Sequence, residues 1–191
     1  MQGVEPIKVT SITLEFHMIT AFISHPNCDL HHMGPEHPES PLRLEAIRAR
    51  LALSGLLQQT MQSEARPASE EELARVHPLR HLRALDKCVP ESGIVTLDSD
   101  TMMNPDSLDA ARVAAGAVVR GVEQVYRGQA DNVFCAVRPP GHHAEATDAM
   151  GFCFYNNVAV GAAHARARYG TRRIAILDFD VHQCNGTIDI F

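Results

Sequence analysis

Tryptophan is absent from this chain, and aromatic residues make up only 5% of its 191 residues. No apolar run reaches the length needed to span a bilayer. The first 17 residues also lack the basic segment followed by an apolar segment that marks a secretory signal. From these absences we expect a cytoplasmic protein with no membrane partner.

Positive charge is also scarce. The chain has 17 Lys and Arg against 23 Asp and Glu, which gives a net charge of -6 and a pI near 6.0. General binding to nucleic acid requires clustered Lys and Arg that neutralise phosphates, and the sequence shows no such cluster. We therefore expect no direct nucleic-acid binding.

Cysteine is present, but not in the spacing of a disulfide framework or a zinc finger. The five cysteines are odd in number, widely spaced and never in a CxxC pair: Cys28, Cys88, Cys135, Cys153 and Cys184. This pattern indicates reduced thiols, which is again typical of the cytoplasm.

The chain has enough apolar residues, 45%, for the core of one domain. We expect residues 1–17 to form a disordered extension and residues 18–191 to fold. Apolar spacing and capping residues predict helices over 42–54, 79–88, 107–127 and 156–169, and the capping box Ser69–Glu72 predicts a short one.

Two β-rich segments frame the last of these helices. Residues 131–137 (DNVFCAV) and 174–180 (IAILDFD) are predicted strands, and strand, helix, strand in this order is a βαβ unit with parallel strands. The fold class predicted is therefore α/β, an open parallel sheet with helices on both faces. The carboxyl ends of its strands share one edge, where ligands bind in such folds.

Histidines and carboxylates are predicted to meet at that edge. His142 and His143 lie in the stiff loop RPPGHHAE after the first strand. Asp178, Asp180 and His182 alternate along the end of the second, so their side chains should face one side. Carboxylate and imidazole are ligands of catalytic zinc, which takes three protein ligands, one open position and a nearby base.

Five stretches of the chain together resemble the zinc-dependent histone deacetylases and their bacterial relatives, the acetylpolyamine amidohydrolases. They are HPESPLRLEAI, LDSDTMMNPDSLDAARVAAG, RPPGHHA, MGFCFYNNVAVGA and ILDFDVHQCNGT. The resemblance is to the class II type and covers nearly everything from Met18 onward. It implies an arginase- and deacetylase-like fold that hydrolyses the acetamide of acetyl-lysine or of an acetylated polyamine.

The resemblance also assigns roles at the predicted edge. It implies that Asp180 and His182 bind Zn²⁺, that His143 is the general base, and that His142 stabilises the oxyanion or the leaving group. Asp178 would orient His142 and take part in a structural K⁺ site. Asn185 would stand behind His143.

Substrate contacts are implied at other positions. Asp100 matches the rim carboxylate that holds the substrate's backbone amide, and Gly151 and Phe152 match the tunnel that lines a lysine chain. Arg43 falls in the segment that lines the inner acetate-release region.

The sequence departs from the family pattern in two places. The family's third zinc ligand, an aspartate, belongs to a C-terminal half that these residues do not include. We therefore expect a fold that is incomplete on its C-terminal side, with an exposed edge strand that favours self-association as a homo-oligomer. Cys184 replaces a family glycine, and it would strain the turn if that position required positive φ. Its thiol as an additional zinc ligand is the less favoured alternative.

Two other functions stay open. One is a catalytically incomplete deacetylase-fold chain with at most partial metal binding. The other is a ureohydrolase, which needs further aspartates just after His182 that the sequence does not supply. Isolated loop histidines such as His31 and His37 are expected to be solvated.

Overall fold

The computed structural model describes residues 18–191, so the extension expected for residues 1–17 lies outside the described residues. The strands are Thr20–Ser24 (β1), Met61–Glu64 (β2), Val95–Thr96 (β3), Met102–Met103 (β4) and Asn132–Cys135 (β5). The helices are Asn27–Leu30 (α1), Leu42–Leu53 (α2), Glu70–Leu73 (α3), Leu79–Cys88 (α4), Ser107–Tyr126 (α5), Asn157–Tyr169 (α6) and Asn185–Ile190 (α7). A 3₁₀ turn spans Leu57–Gln59.

The central strand β1 pairs in parallel with β2 on one side and with β5 on the other. Its residues Ala21, Phe22 and Ile23 are all buried, as expected for a parallel strand covered on both faces. The predicted parallel sheet flanked by helices is therefore confirmed. The short strands β3 and β4 form a separate antiparallel pair.

Helix α5 connects the sheet to a second layer of helices. Val113 and Ala117 pack in the cluster that contains Phe22 of the sheet, whereas Val119 packs in the cluster formed with the other helices. Helix α6 approaches α5 closely at Gly161, where a Cβ atom would lie 2.4 Å from Val118 Cγ1. The Ala- and Gly-rich sequence of these helices thus permits a tight contact beneath the sheet.

The helix ends follow the capping residues predicted from the sequence. The Asn156 side chain accepts the N–H of Ala159 at 3.0 Å, and α6 ends at Gly170, which has a φ of 67°. Ser69 and Glu72 form the reciprocal capping box at α3. These local predictions are confirmed.

The predicted strand at 174–180 is wrong. The segment that follows α6 forms no strand, and Leu177, Phe179 and Val181 are 88%, 96% and 92% exposed. A strand requires a hydrogen-bonded neighbour, and the sheet described within residues 18–191 provides none for this segment. Only the first strand and the helix of the predicted βαβ unit are formed.

Candidate active site

The loop at residues 138–145 leaves the sheet after β5 and carries two adjacent histidines. The ring centroids of His142 and His143 lie 4.1 Å apart, and both side chains are half-buried. Gly141 brings the loop against the start of α6, because a Cβ atom there would lie 2.5 Å from the main-chain nitrogen of Asn157. The fold therefore holds both imidazoles at the sheet edge with part of each ring open to solvent.

His142 is held by Asp178. Its Nδ1 lies 2.8 Å from Oδ2 of the carboxylate, which only accepts, so Nδ1–H donates. The contact joins the two segments that the sequence analysis expected to meet. The orienting role of Asp178 and its part in a K⁺ site stay predictions.

His143 is held by a neutral amide instead. Its Nδ1 lies 2.6 Å from Oδ1 of Asn185, the first residue of α7. The Asn185 amide nitrogen donates to Oε1 of Glu145 at 2.9 Å, which identifies Oδ1 as the acceptor for His143. The neutral His143 ring is thereby fixed as the tautomer that leaves Nε2 free to accept a proton.

Asp180 and His182 lie beside the histidine pair but are open to solvent. Oδ2 of Asp180 accepts from both the main-chain N–H and Nδ1 of His182, each at 2.8 Å. These contacts lower the pKa of the Asp180 carboxyl, the main-chain bond most. The ring centroid of His182 is 5.8 Å from that of His143.

The alternation predicted for this segment is not kept. The main-chain N–H of Asp180 donates to Oδ1 of Asp178 at 3.1 Å, and residues 180–182 form a bend. Asp178 consequently turns to His142, while Asp180 turns to His182. The three side chains do not stand in one row, because no neighbouring strand holds the segment extended.

Carboxylate and imidazole at Asp180 and His182 fit two of the three protein ligands of a catalytic zinc ion. Among residues 18–191, no group of three or more His, Cys, Asp or Glu side chains is arranged to hold a metal ion. The described side chains therefore fit a catalytic zinc site only in part.

The predicted tunnel residues lie directly against His143. Gly151 and Phe152 have φ values of 55° and 68°, and a Cβ atom on Gly151 would lie 2.5 Å from Cδ2 of His143. The main-chain N–H of Phe152 donates to Oγ1 of buried Thr101 at 3.0 Å. This unusual backbone brings the Phe152 position next to the histidine pair.

Asp100 lies exposed, and His37 connects it to Phe152, one of the predicted tunnel residues. The His37 ring packs edge-on against Phe152 with centroids 4.6 Å apart, and its Nε2 donates to the Asp100 carbonyl at 3.1 Å. His37 was expected to be solvated, but it is half-buried. Its position in HPES gave no indication of this packing.

One further expectation is corrected at the margin of the site. Cys184 has a φ of -80°, so it causes no left-handed strain at the start of α7. Arg43 lies exposed on α2, and its place in an acetate-release segment stays a prediction. Cys153, close to His143, supplies no nucleophile, because burial raises the pKa of its thiol to about 12.

A buried polar group lies behind the histidine loop and was missed by sequence reasoning. His31, Glu39 and Arg138 are 0%, 2% and 1% exposed. His31 was expected to be solvated, and this is wrong. The partners are far apart in sequence, and the only signal was that Glu39 and Arg138 each belong to a recognisable motif.

Comparisons with known proteins show the family to which the chain belongs. Residues 37–191 match the histone deacetylase domain family. A histone deacetylase-like amidohydrolase of Pseudomonas aeruginosa is 41% identical over 155 residues, which cover 81% of this chain and 40% of that protein. A human polyamine deacetylase is 40% identical over 160 residues, which cover 80% of this chain and 24% of that protein.

A solved structure has a similar fold. The crystal structure of the HDA15 HD domain matches with a TM-score of 0.85 and 39% identity, covering 92% of this chain and 51% of that chain. An open parallel sheet flanked by helices defines the fold class as α/β. The chain belongs to the histone deacetylase family and corresponds to the N-terminal portion of its domain. It spans 40% or less of the two curated relatives named above.

Within residues 18–191, no helix combines the length and the apolar character that crossing a membrane requires.

Proposed function

We propose that the protein is a zinc-dependent amidohydrolase that removes acetyl groups from acetyl-lysine or acetylated polyamines. Membership of the histone deacetylase family supports the reaction class. The observation that carries the proposal is the histidine pair, in which His142 bonds to a carboxylate and His143 to an amide. Two imidazoles with different partners suit two different tasks in one reaction.

Asp180 and His182 would hold the metal, and a third ligand would be needed beyond the described residues. When bound, zinc polarises an amide carbonyl and makes a coordinated water more acidic. Asp178, with main-chain groups near residues 179–182, would also serve the structural K⁺ site. Zinc rather than another divalent metal follows from the family resemblance.

His143 acts as the general base in this proposal. Asn185 accepts its Nδ1–H, so Nε2 takes the proton from the attacking water. His142 donates to the developing oxyanion or to the leaving amine, and Asp178 keeps its ring in position and stabilises its positive charge. The products are acetate and a free amine.

The substrate enters past Asp100 and lies along Gly151 and Phe152. An exposed carboxylate at Asp100 suits a backbone amide of a peptide or an amine of a polyamine. Both substrate types also occur among the names of the relatives, a histone deacetylase-like amidohydrolase and a polyamine deacetylase. We propose that the protein has no nucleic-acid or membrane partner. We also propose a cytoplasmic location, which suits its five free cysteines. Finally, we propose that it forms a homo-oligomer, in which the exposed residues of segment 174–181 would be covered.

The test is turnover of an acetyl-lysine peptide and of an N-acetylated polyamine by the purified chain with added zinc. His143→Ala should abolish turnover by removing the base. His32→Ala, at an exposed histidine outside the site, should leave it unchanged. Equal loss in both variants, or turnover that His143→Ala leaves intact, would contradict the proposed role of His143.

A second candidate is a chain that binds metal weakly without turnover. It is favoured by the absence, within residues 18–191, of a group of three or more side chains able to hold a metal ion. Calorimetric titration with zinc separates the candidates. Binding that is lost in His182→Ala, without turnover in the unaltered chain, supports this second candidate.

A further inference from the structure

Arg138 begins the histidine loop, four positions before His142, and its guanidinium points into the protein. Nε donates to Oε1 of Glu39 at 2.7 Å, and Nη2 donates to Oε2 of the same carboxylate. Nη1 donates to the main-chain oxygen of Cys28 at 2.6 Å. All three nitrogens of the planar guanidinium are bonded, which fixes its position and its plane.

The His31 ring lies on the other side of Glu39. Nε2 of His31 lies 3.2 Å from Oε2 of Glu39, and Nδ1 lies 2.7 Å from Oγ of Ser107, at the start of α5. Burial by itself would raise the pKa of the Glu39 carboxyl, but the adjacent His31 and Arg138 side chains lower it to about 2. Glu39 therefore stays a carboxylate between these two side chains.

The loop between Arg138 and His142 is also held at other points. The Asn157 side chain donates to the carbonyl of Pro139 at 3.2 Å, and Gly141 touches the main chain of α6. With Arg138, Pro139 and Gly141 each held in place, the backbone at His142 has little freedom.

A buried ion pair is a poor source of stability, because desolvation offsets most of its attraction. Such a pair instead fixes the geometry of its partners, since the two-pronged bond allows few arrangements of the two side chains. The Glu39–Arg138 pair joins segments 99 residues apart, at the start of the loop that carries the histidine pair.

We propose that Glu39 and Arg138 are positioning residues that hold the His142–His143 loop in its working geometry, with His31 bracing Glu39 from behind. For its effect on turnover, the inference rests on the proposed function. The ion pair touches no reacting atom, so its removal should lower kcat and leave KM nearly unchanged. Substrate contacts at Asp100 and Phe152 lie on other segments.

The experiment compares Glu39→Gln and Arg138→Lys with the matched control Glu72→Gln. Glu72 accepts a two-pronged bond from Arg66 at 2.8 and 2.6 Å and caps α3, outside the histidine loop. The first readout is amide hydrogen exchange by mass spectrometry at Ala144, whose N–H donates to the Gly141 carbonyl at 3.1 Å. Urea unfolding of each variant shows that it is folded and allows comparison at equal global stability.

We expect exchange at Ala144 to accelerate about tenfold or more in both loop variants, beyond the change in Glu72→Gln. In the zinc-loaded chain, kcat should fall about 10- to 100-fold with KM within about twofold. Should Glu39→Gln fail to fold, Arg138→Lys decides, because it keeps the positive charge and loses the two-pronged bond. Exchange at Ala144 equal to that in the control overturns the proposal. Absence of turnover in the unaltered chain supports the second candidate function instead, whereas exchange at Ala144 still tests the positioning.

Discussion

The imidazole of His143 packs against the main chain of Gly151 so closely that a Cβ atom on Gly151 would lie 2.5 Å from His143 Cδ2. The proposed base and the proposed tunnel wall are therefore in direct contact. Gly151 is needed here for two reasons, its left-handed φ of 55° and the lack of space.

Gly151→Ala should displace the His143 ring and lower turnover about tenfold or more. Strain and collision together should cost about 1–3 kcal/mol of unfolding free energy. The measurement is kcat together with urea unfolding. Gly93→Ala is the matched control, because Gly93 has a φ of 73° but a Cβ atom on it would meet nothing within 4 Å. Equal turnover in the two variants would show that the contact with His143 is unimportant.

Asp178→Asn should lower kcat about 100-fold while the chain stays folded, since an amide can no longer stabilise a charged His142 ring. The control is Asp86→Asn, at a carboxylate that accepts from Arg112 at 2.9 Å outside the site. Steady-state kinetics with an acetyl-lysine peptide provide the measurement. Full activity of Asp178→Asn would remove His142 from its proposed role.

Local signals in the sequence predicted the histidine loop and most helix ends correctly. Pro and Gly around His142 mark a loop, and Asn156 and Gly170 mark the ends of α6 by their own backbone chemistry. Each of these features depends on residues within a few positions of one another. They can therefore be inferred without knowledge of the tertiary fold.

Features that depend on distant partners were not predictable in the same way. The strand expected at 174–180 has the right residues but no hydrogen-bonded neighbour within residues 18–191. The pairing of Glu39 with Arg138 spans 99 residues, and neither residue alone indicates burial. His31 looked like a solvated loop residue for the same reason.

His77 should make stability depend on pH. Burial and the neighbouring His81 lower the pKa of His77 from 6.5 to about 4. The ring is neutral in the fold, with Nε2 accepting the N–H of Asn156 at 2.9 Å. As pH falls, His77 takes up a proton in the unfolded chain at a higher pH than in the folded chain. The stability that neutral His77 provides is therefore complete above pH 6.5 and is lost as pH falls toward 4.

The difference between 6.5 and about 4 corresponds to an upper limit of about 3 kcal/mol of unfolding free energy. Urea unfolding between about pH 5 and 7, above the range in which ordinary carboxylates titrate, measures about 2 kcal/mol of this limit. His77→Gln should flatten the pH dependence, and His32→Gln, at an exposed ring, should not. An unchanged slope in His77→Gln would show that His77 does not carry this dependence.

The apolar residues Leu177, Phe179 and Val181, each more than 85% exposed, should make the 191-residue chain self-associate. Pairing with another copy would cover these side chains and the main chain of their segment. Sedimentation velocity should show dimers or larger species, and Phe179→Lys with Val181→Lys should shift the chain toward monomer by placing like charges at the contact. Ile94→Lys is the control, since it removes an isolated, 43% exposed apolar side chain elsewhere. If the unaltered chain is a monodisperse monomer, the segment is covered within its own chain in solution. If Ile94→Lys reduces association as much as the double variant does, the contact between copies lies elsewhere.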